Sequence, residues 1–332
     1  MLLQLFTYAV FIVAGLTALY FGAEFLLRGA VSGSLRLGIS KLVIGLTVVA
    51  FGTSAPEMVV SVISAVQGHA SIAVGNVIGS NIINIALVLG LLSLWLPVES
   101  HPKLLRFDIP VMFGSYGVML LFVFGSVWPL QTGTITRIEG LLLLFLLGSY
   151  LVTIYVKSRR KGVAESAVPI DAVEIAVETP SKEYAPLVIF ALMLGGILLL
   201  GIGGELVVRG AVWYAGEVFF VSERVIGITI VAFATSLPEL TTSLVAIKKK
   251  EVDISLGNII GSNIFNSLGV LGIAASVAPL DAIESGFALD IGMMFLVSIL
   301  LTLSLLIWGG LRRTSGLILL TALGFYIRFS LL

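Results

Sequence analysis

Two glutamates, Glu57 and Glu239, each stand directly behind a proline inside a long run of apolar residues. A carboxylate at the depth of a bilayer costs about 2.5–3.5 kcal/mol on insertion scales, so it is retained where it pairs, relays protons or holds an ion. No lysine or arginine lies near enough in either run to neutralise these two. Helix packing does not account for them, and binding a cation does.

The surroundings of each glutamate repeat as well. The stretch IGLTVVAFGTSAPE, from Ile44 to Glu57, returns 182 positions later as IGITIVAFATSLPE, from Ile226 to Glu239. Proline lacks an N–H and its ring collides with the carbonyl four residues back, so Pro56 releases the carbonyl of Gly52 and Pro238 that of Ala234. At membrane depth a free carbonyl is tolerated where it lines a polar cavity, and broken helices of this kind coordinate ions. Thr53 and Thr235 precede the glutamates by one helical turn and share their face.

The next apolar stretch in each copy supplies a second wall. Asn76, Ser80 and Asn84 recur every fourth residue in GNVIGSNIIN, and Asn258, Ser262 and Asn266 do so in GNIIGSNIFN, so each set forms one polar stripe on a helix. Two carboxylates with amide, hydroxyl and carbonyl oxygens, without imidazole or thiolate, suit a hard cation. Ca²⁺ takes six to eight oxygens at about 2.3–2.6 Å, and two bidentate glutamates supply four of them with a matching charge. Mg²⁺, strictly octahedral and reluctant to shed water, fits less well. Gly45, Gly75, Gly79, Gly227, Gly257 and Gly261 read as close helix packing. Asn76, Asn81, Asn258 and Asn263 fit either packing or the site.

The elements that must position these residues are membrane spans. Apolar residues make up 58% of the 332-residue chain and charged ones 11%, against roughly 45–50% and 25% in soluble proteins. The expected fold class is an all-α polytopic membrane protein with ten transmembrane helices, at 4–27, 41–66, 72–96, 108–127, 137–156, 186–208, 223–247, 253–278, 287–308 and 314–331. The run from Leu2 to Leu27 lacks a basic n-region and a small-residue cleavage site and reads as the first span. The absence of cysteine excludes disulfides, thiolate chemistry and zinc-finger sites.

Residues 43–90 align with 225–272 without a gap, with about half of the positions identical, so the chain is a duplication. Its units are 1–156 and 186–332, and five spans per unit make the second inverted relative to the first. Between them, 157–185 is a polar, flexible linker too short for a folded regulatory domain. With the N-terminus outside, fifteen of the 19 lysines and arginines fall on the cytoplasmic side. The expectation is a multi-pass plasma-membrane protein with extracytoplasmic termini and a cytoplasmic linker.

Smaller features have structural readings. Ser40 and Ser222, and Asp108 and Asp290, recur where spans begin and suit N-caps. Glu24 with Arg28, and Glu205 with Arg209, have the spacing of helical ion pairs and read as pairing and interface anchoring, with a role in gating as the alternative. Lys248 to Lys250 serve topology and contact with anionic lipid. His69 and His101 fall in loops, and no serine and histidine are placed as a dyad, so an intramembrane enzyme is disfavoured.

The repeated GTSAPE and ATSLPE strings, with GNVIGSNIIN and GNIIGSNIFN, resemble the α-repeats of the cation/calcium exchanger superfamily, to which the prokaryotic Na⁺/Ca²⁺ exchangers belong. Ala234 replaces the first glycine of the motif in the second copy. The resemblance implies alternating access, in which two outer helices, one from each repeat, slide across the rest. It implies that Ca²⁺ and Na⁺ share Glu57 and Glu239, with backbone carbonyls from Thr53, Thr235, Ala50 and Ala232. Ser54, Ser80, Ser236 and Ser262 would serve flanking Na⁺ sites, and Asn84 and Asn266 would complete the central one. The K⁺-dependent branch has an aspartate at the position of Asn266, so K⁺ dependence is disfavoured. Proton-coupled relatives carry acids where Val77, Ile78, Ile259 and Ile260 stand, so Na⁺ coupling is preferred.

The expected activity is therefore electrogenic, K⁺-independent exchange of Na⁺ for Ca²⁺, without a cofactor, nucleic acid or enzymatic step. Either ion load neutralises the carboxylates, whereas an empty site exposes charge to an apolar slide path, which favours exchange over leak. An H⁺/Ca²⁺ antiporter is the runner-up, since protons also neutralise glutamates and acid pH then competes with Ca²⁺. An uncoupled cation channel would place the same oxygens around a continuous pore.

Overall fold

The computed structural model describes residues 2–99, 104–124, 134–165, 184–214, 232–281 and 287–330. Its helices are α1 (Leu2–Leu37), α2 (Lys41–Thr53), α3 (Ala55–Val66), α4 (Ala70–Trp95), α5 (Ile109–Phe124), α6 (Arg137–Glu165), α7 (Pro186–Trp213), α8 (Ala232–Thr235), α9 (Leu237–Lys248), α10 (Val252–Val277), α11 (Phe287–Trp308) and α12 (Arg313–Ser330). Seven of the described helices are long and apolar enough to cross a membrane, and α2 with α3, bent by 46°, makes an eighth. Large apolar side chains such as Phe6, Val13, Phe145, Phe190, Ile307 and Phe325 stand exposed on the outer surface, as a bilayer-facing shell requires. The other two expected spans correspond to α12, 18 residues long, and to α8 with α9, preceded by residues 215–231 outside the described set.

Several boundaries differ from the sequence expectation. The helix α1 continues ten residues past 27, through Gly29 and Gly33, and ends at Gly38, whose φ of +64° closes the helix. There Gly38 N–H donates to Leu35 O (3.3 Å) and Ile39 N–H to Ser34 O (3.0 Å), a Schellman cap. The helix α6 runs on to Glu165, through the first residues expected in the linker; positions 166–183 lie outside the described residues. Ser40 caps α2 by accepting from Val43 N–H at 3.4 Å, whereas Ser222 and His101 lie outside the described residues. Asp108 and Asp290 are not N-caps. Each lies inside helical structure and accepts a tyrosine hydroxyl, from Tyr150 at 3.2 Å and Tyr326 at 2.7 Å, because the packing of neighbouring helices delivers these donors to the carboxylates.

Glycines decide how closely the helices approach. Gly15, Gly22 and Gly29 on α1 recur every seventh residue, as do Gly196, Gly203 and Gly210 on α7. A Cβ on Gly15 would come within 2.7 Å of Gly203 O, and one on Gly22 within 3.0 Å of Gly196 O, so the two helices lie antiparallel with backbones in contact. Residues of α1 and Leu200 of α7 contribute to a small apolar cluster with Ile44, Val49, Leu237 and Ile254, while the larger cluster gathers α4, α5, α6, α10, α11 and α12.

Short contacts tie the ends of the helices. Val98–Glu99 pairs antiparallel with Gly310–Leu311, Lys41 reaches Glu251 at 2.7 Å, and Arg36 donates to Tyr184 O. Thr134–Ile135 pairs with Leu280–Asp281, Arg137 donates to Val277 O, and Tyr214 to Leu5 O. Every one of these contacts joins two segments that the ten-span reading places on the same side of the membrane.

Candidate cation site

The two glutamates owe their positions to matching helix breaks. Ser54 (φ −80°, ψ 4°) and Ser236 (φ −87°, ψ 4°) interrupt the helical path in nearly the same conformation. Each helix restarts with a proline in its first turn, where a missing N–H costs no hydrogen bond. Glu57 and Glu239 thereby occupy the first turns of α3 and α9, the end of a helix that favours negative charge. Met58 N–H to Ser54 O and Leu240 N–H to Ser236 O, both 3.1 Å, close the restarted turns alike.

The second wall is likewise interrupted. The α-helical path of α4 widens to a π-helix over Asn84–Leu89, and that of α10 over Phe265–Val270, so both expected asparagine ligands sit at a widening. Such widenings frequently occur at functional sites.

Glu57, Glu239, Thr53, Thr235, Ser54, Ser236, Ser80, Ser262, Asn84, Asn266 and Ala50 are all buried; Ala232 opens α8. The halves interlock at these residues. Ser54 Oγ and Ser262 Oγ both donate to Glu239 Oε1 at 3.3 Å. Thr53 Oγ1 donates to Asn258 Oδ1 at 3.0 Å and lies 3.3 Å from Ser262 Oγ. The Ala50 carbonyl accepts from Ser54 N–H (3.0 Å) and lies 3.3 Å from Thr53 Oγ1.

Asn76 and Asn258, left open between packing and the site, brace the helices that carry the glutamates. Asn76 Nδ2 donates to Glu57 O (3.1 Å) and Ser61 Oγ (2.9 Å), and Asn258 Nδ2 to Ser243 Oγ (3.2 Å). The sequence reading did not single out Ser61 and Ser243. Their signal was present, since both lie four residues beyond a glutamate and recur at the same spacing of 182.

The asparagines beyond them cross between the halves. Asn84 Nδ2 donates to Asn263 Oδ1 (3.3 Å) and Asn266 Nδ2 to Asn81 Oδ1 (3.2 Å). Asn81 Nδ2 meets Met294 Sδ, and Asn263 Nδ2 meets Met112 Sδ. Each contact is the image of another under the shift of 182, the reciprocal pattern of two-fold packing.

What remains unsatisfied points to chemistry. Both side-chain oxygens of Glu57, Oε2 of Glu239, Oδ1 of Asn84 and of Asn266, and Oγ of Ser236 are buried without a hydrogen-bond partner. Buried acceptors without donors are costly, and several gathered on carboxylates and amides match the shell of a hard cation. Among the described residues no three histidine, cysteine or acidic side chains gather as a metal site. A cation here draws on two carboxylates and on neutral oxygens.

Comparison with known proteins agrees with this chemistry. The sodium/calcium exchanger protein family matches residues 7–156 and 188–332. The chain is 38% identical over 328 residues to the putative antiporter CaxA of Alkalimonas amylolytica, covering 97% of this chain and 98% of that one. It is 28% identical to the sodium/calcium exchanger MaX1 of Methanosarcina acetivorans over 95% of both chains. The solved sodium-calcium exchanger NCX_Mj, soaked with Na⁺ and Sr²⁺, superposes with a TM-score of 0.77 at 29% identity over 97% of each chain. A family match across nearly the whole length, the shared fold and the paired buried carboxylates lead to one assignment: this multi-pass membrane protein belongs to the sodium/calcium exchanger family, whose members are transporters.

Proposed function

We propose that the protein is a secondary active antiporter that exchanges Na⁺ for Ca²⁺ by alternating access, electrogenic and independent of K⁺. The observation that carries this reading is the pair of buried carboxylates, one from each half, with three of their four oxygens lacking hydrogen bonds. Two such groups match the charge of Ca²⁺ and the oxygen donors it prefers. Glu57, Glu239, Thr53, Thr235, Asn84 and Asn266 form the central site, with carbonyls of Ala50 and Ala232. Ser54, Ser80, Ser236 and Ser262 serve flanking Na⁺, and more than two Na⁺ per Ca²⁺ moves net charge. The names of CaxA and MaX1 support antiport and the two ions.

In this reading the units 1–156 and 186–332 are inverted five-helix repeats joined by a cytoplasmic linker at 157–185, with extracytoplasmic termini. The antiparallel α1–α7 pair slides as one body, supported by its glycine contacts. An ion pair tethers that body on one side. Glu24 of α1 accepts from Arg28 (2.8 Å) and from Lys249 beyond α9 (2.6 Å). Its counterpart Glu205 pairs with Arg209, and Gln67 occupies the place corresponding to Lys249. Exposed ion pairs contribute up to about 1 kcal/mol, so Lys249→Gln shifts the balance of the two states by up to about fivefold. In oriented vesicles KM for Ca²⁺ on the linker side falls and KM on the opposite side rises; an unchanged pair of KM values rejects the tether.

The deciding test of the antiport reading is uptake of radiolabelled Ca²⁺ by liposomes that contain the purified protein and internal Na⁺, diluted into Na⁺-free buffer. Uptake requires internal Na⁺ and is electrically accelerated by a favourable membrane potential. Uptake driven by a pH gradient alone transfers the protein to H⁺/Ca²⁺ antiport, and uptake needing neither gradient identifies a channel.

A further inference from the structure

The asparagines behind the cation site form a chain in which each group leaves its neighbour one choice of orientation. Ser267 Oγ donates its single proton to the main-chain oxygen of Asn263, at 3.0 Å. Toward Asn81, also at 3.0 Å, the same oxygen therefore accepts, and Asn81 must present its NH₂. The Met294 thioether, 3.6 Å from that nitrogen, is likewise an acceptor. Asn81 Oδ1 is consequently turned toward Asn266, which answers with its own NH₂ at 3.2 Å. The remaining atom of that amide, Asn266 Oδ1, is buried without a hydrogen-bond partner.

The helical position of Asn266 gives this orientation a purpose. It lies one turn beyond Ser262, on the same stripe of α10, and Ser262 Oγ donates to Glu239 Oε1 at 3.3 Å. An amide reversed at Asn266 would offer a cation two N–H donors in place of an oxygen. The other half has the same sense with a looser hold. Asn263 presents its NH₂ to Met112 Sδ at 3.9 Å, a weak acceptor, and Ile85 stands at the position equivalent to Ser267.

We propose that Ser267 and Asn81 are positioning residues that hold the Asn266 amide with its carbonyl oxygen toward the transported cation. This inference rests on the cation site proposed above and adds to it the groups that set ligand direction. Ser267 touches no ion in this scheme and acts through two successive amides.

Equilibrium binding of radiolabelled Ca²⁺ to the purified full-length protein in detergent tests it, since binding is read whether or not a variant still transports. Ser267→Val, which loses the acceptor, weakens Ca²⁺ binding about tenfold, and Ser267→Thr, which has the same branched shape as valine and keeps the hydroxyl, binds as the unaltered protein does. Equal binding by the two variants overturns the proposal. In an Asn266→Asp background the carboxylate offers oxygen in either orientation, so adding Ser267→Val changes binding less than twofold; a further tenfold loss there also overturns it. Thermal unfolding without Ca²⁺ verifies that each variant is folded. If the unaltered protein binds no Ca²⁺, the cation site itself is rejected, an outcome distinct from failure of the orienting chain.

Discussion

Glu57→Gln and Glu239→Gln each abolish Na⁺-driven Ca²⁺ uptake, by at least about 100-fold, while the protein remains folded. Glutamine preserves the volume of the side chain and removes one negative charge and one acceptor. A Ca²⁺ ion in the altered site keeps an uncompensated positive charge that must cross an apolar path, the step that full neutralisation makes feasible. Folding is spared for a different reason at each position. Both side-chain oxygens of Glu57 are without hydrogen bonds, so the amide breaks none. At Glu239 the hydroxyls of Ser54 and Ser262 donate to Oε1 alone, and the carbonyl of a glutamine accepts them equally. Thermal unfolding separates the two effects. Saturating Ca²⁺ stabilises the unaltered protein by about 2.7 kcal/mol at a hundredfold excess over Kd, and this increment disappears in either variant. Retained uptake in either one removes the shared site.

Gly261→Leu has the second large effect, and it tests whether the site is built by the approach of the two halves. A Cβ on Gly261 would lie 2.8 Å from the Cβ of Ala50 and from the Cα and carbonyl oxygen of Leu46, and a Cβ on Gly257 2.8 Å from Leu42 O. These atoms belong to α2 and cannot yield without moving the helix, so α10 must withdraw. Overpacking of this kind costs about 1–3 kcal/mol, and more where backbone opposes backbone. Withdrawal also parts Thr53 from Asn258 and Ser262, contacts of 3.0 and 3.3 Å that cross the same seam. Uptake is lost and the unfolding midpoint falls by several degrees. Gly114→Leu is the control, because no atom lies within 4 Å of its added Cβ and the residue is exposed. Equal behaviour of the two variants would show that the seam does not hold the site.

The same glycines show how far sequence reasoning reached. Gly45, Gly257 and Gly261 were legible as close-packing residues, and each proves to oppose backbone. Which helix each one opposes was not legible, since a glycine specifies the permissible distance and not the partner. The seven-residue glycine stripes of α1 and α7 were present in the sequence, yet their pairing becomes visible only when the helices lie side by side. Asp108 and Asp290 reveal a similar gap: their place near helix starts suggested caps, and tyrosines supplied from other helices took them instead.

By itself the sequence determined the membrane class, the duplication, the two buried glutamates and the all-oxygen chemistry around them. Each of these is written in hydropathy, in residue type or in a spacing that repeats along the chain, and none depends on distant partners. Only the tertiary structure decided that Ser54 serves Glu239 and not Glu57, that Thr53 reaches across to Asn258, and that the asparagine amides face in one direction. Those contacts join residues 185 to 205 positions apart. Their geometry is set by where close-packed helices cross, and local spacing carries no record of it.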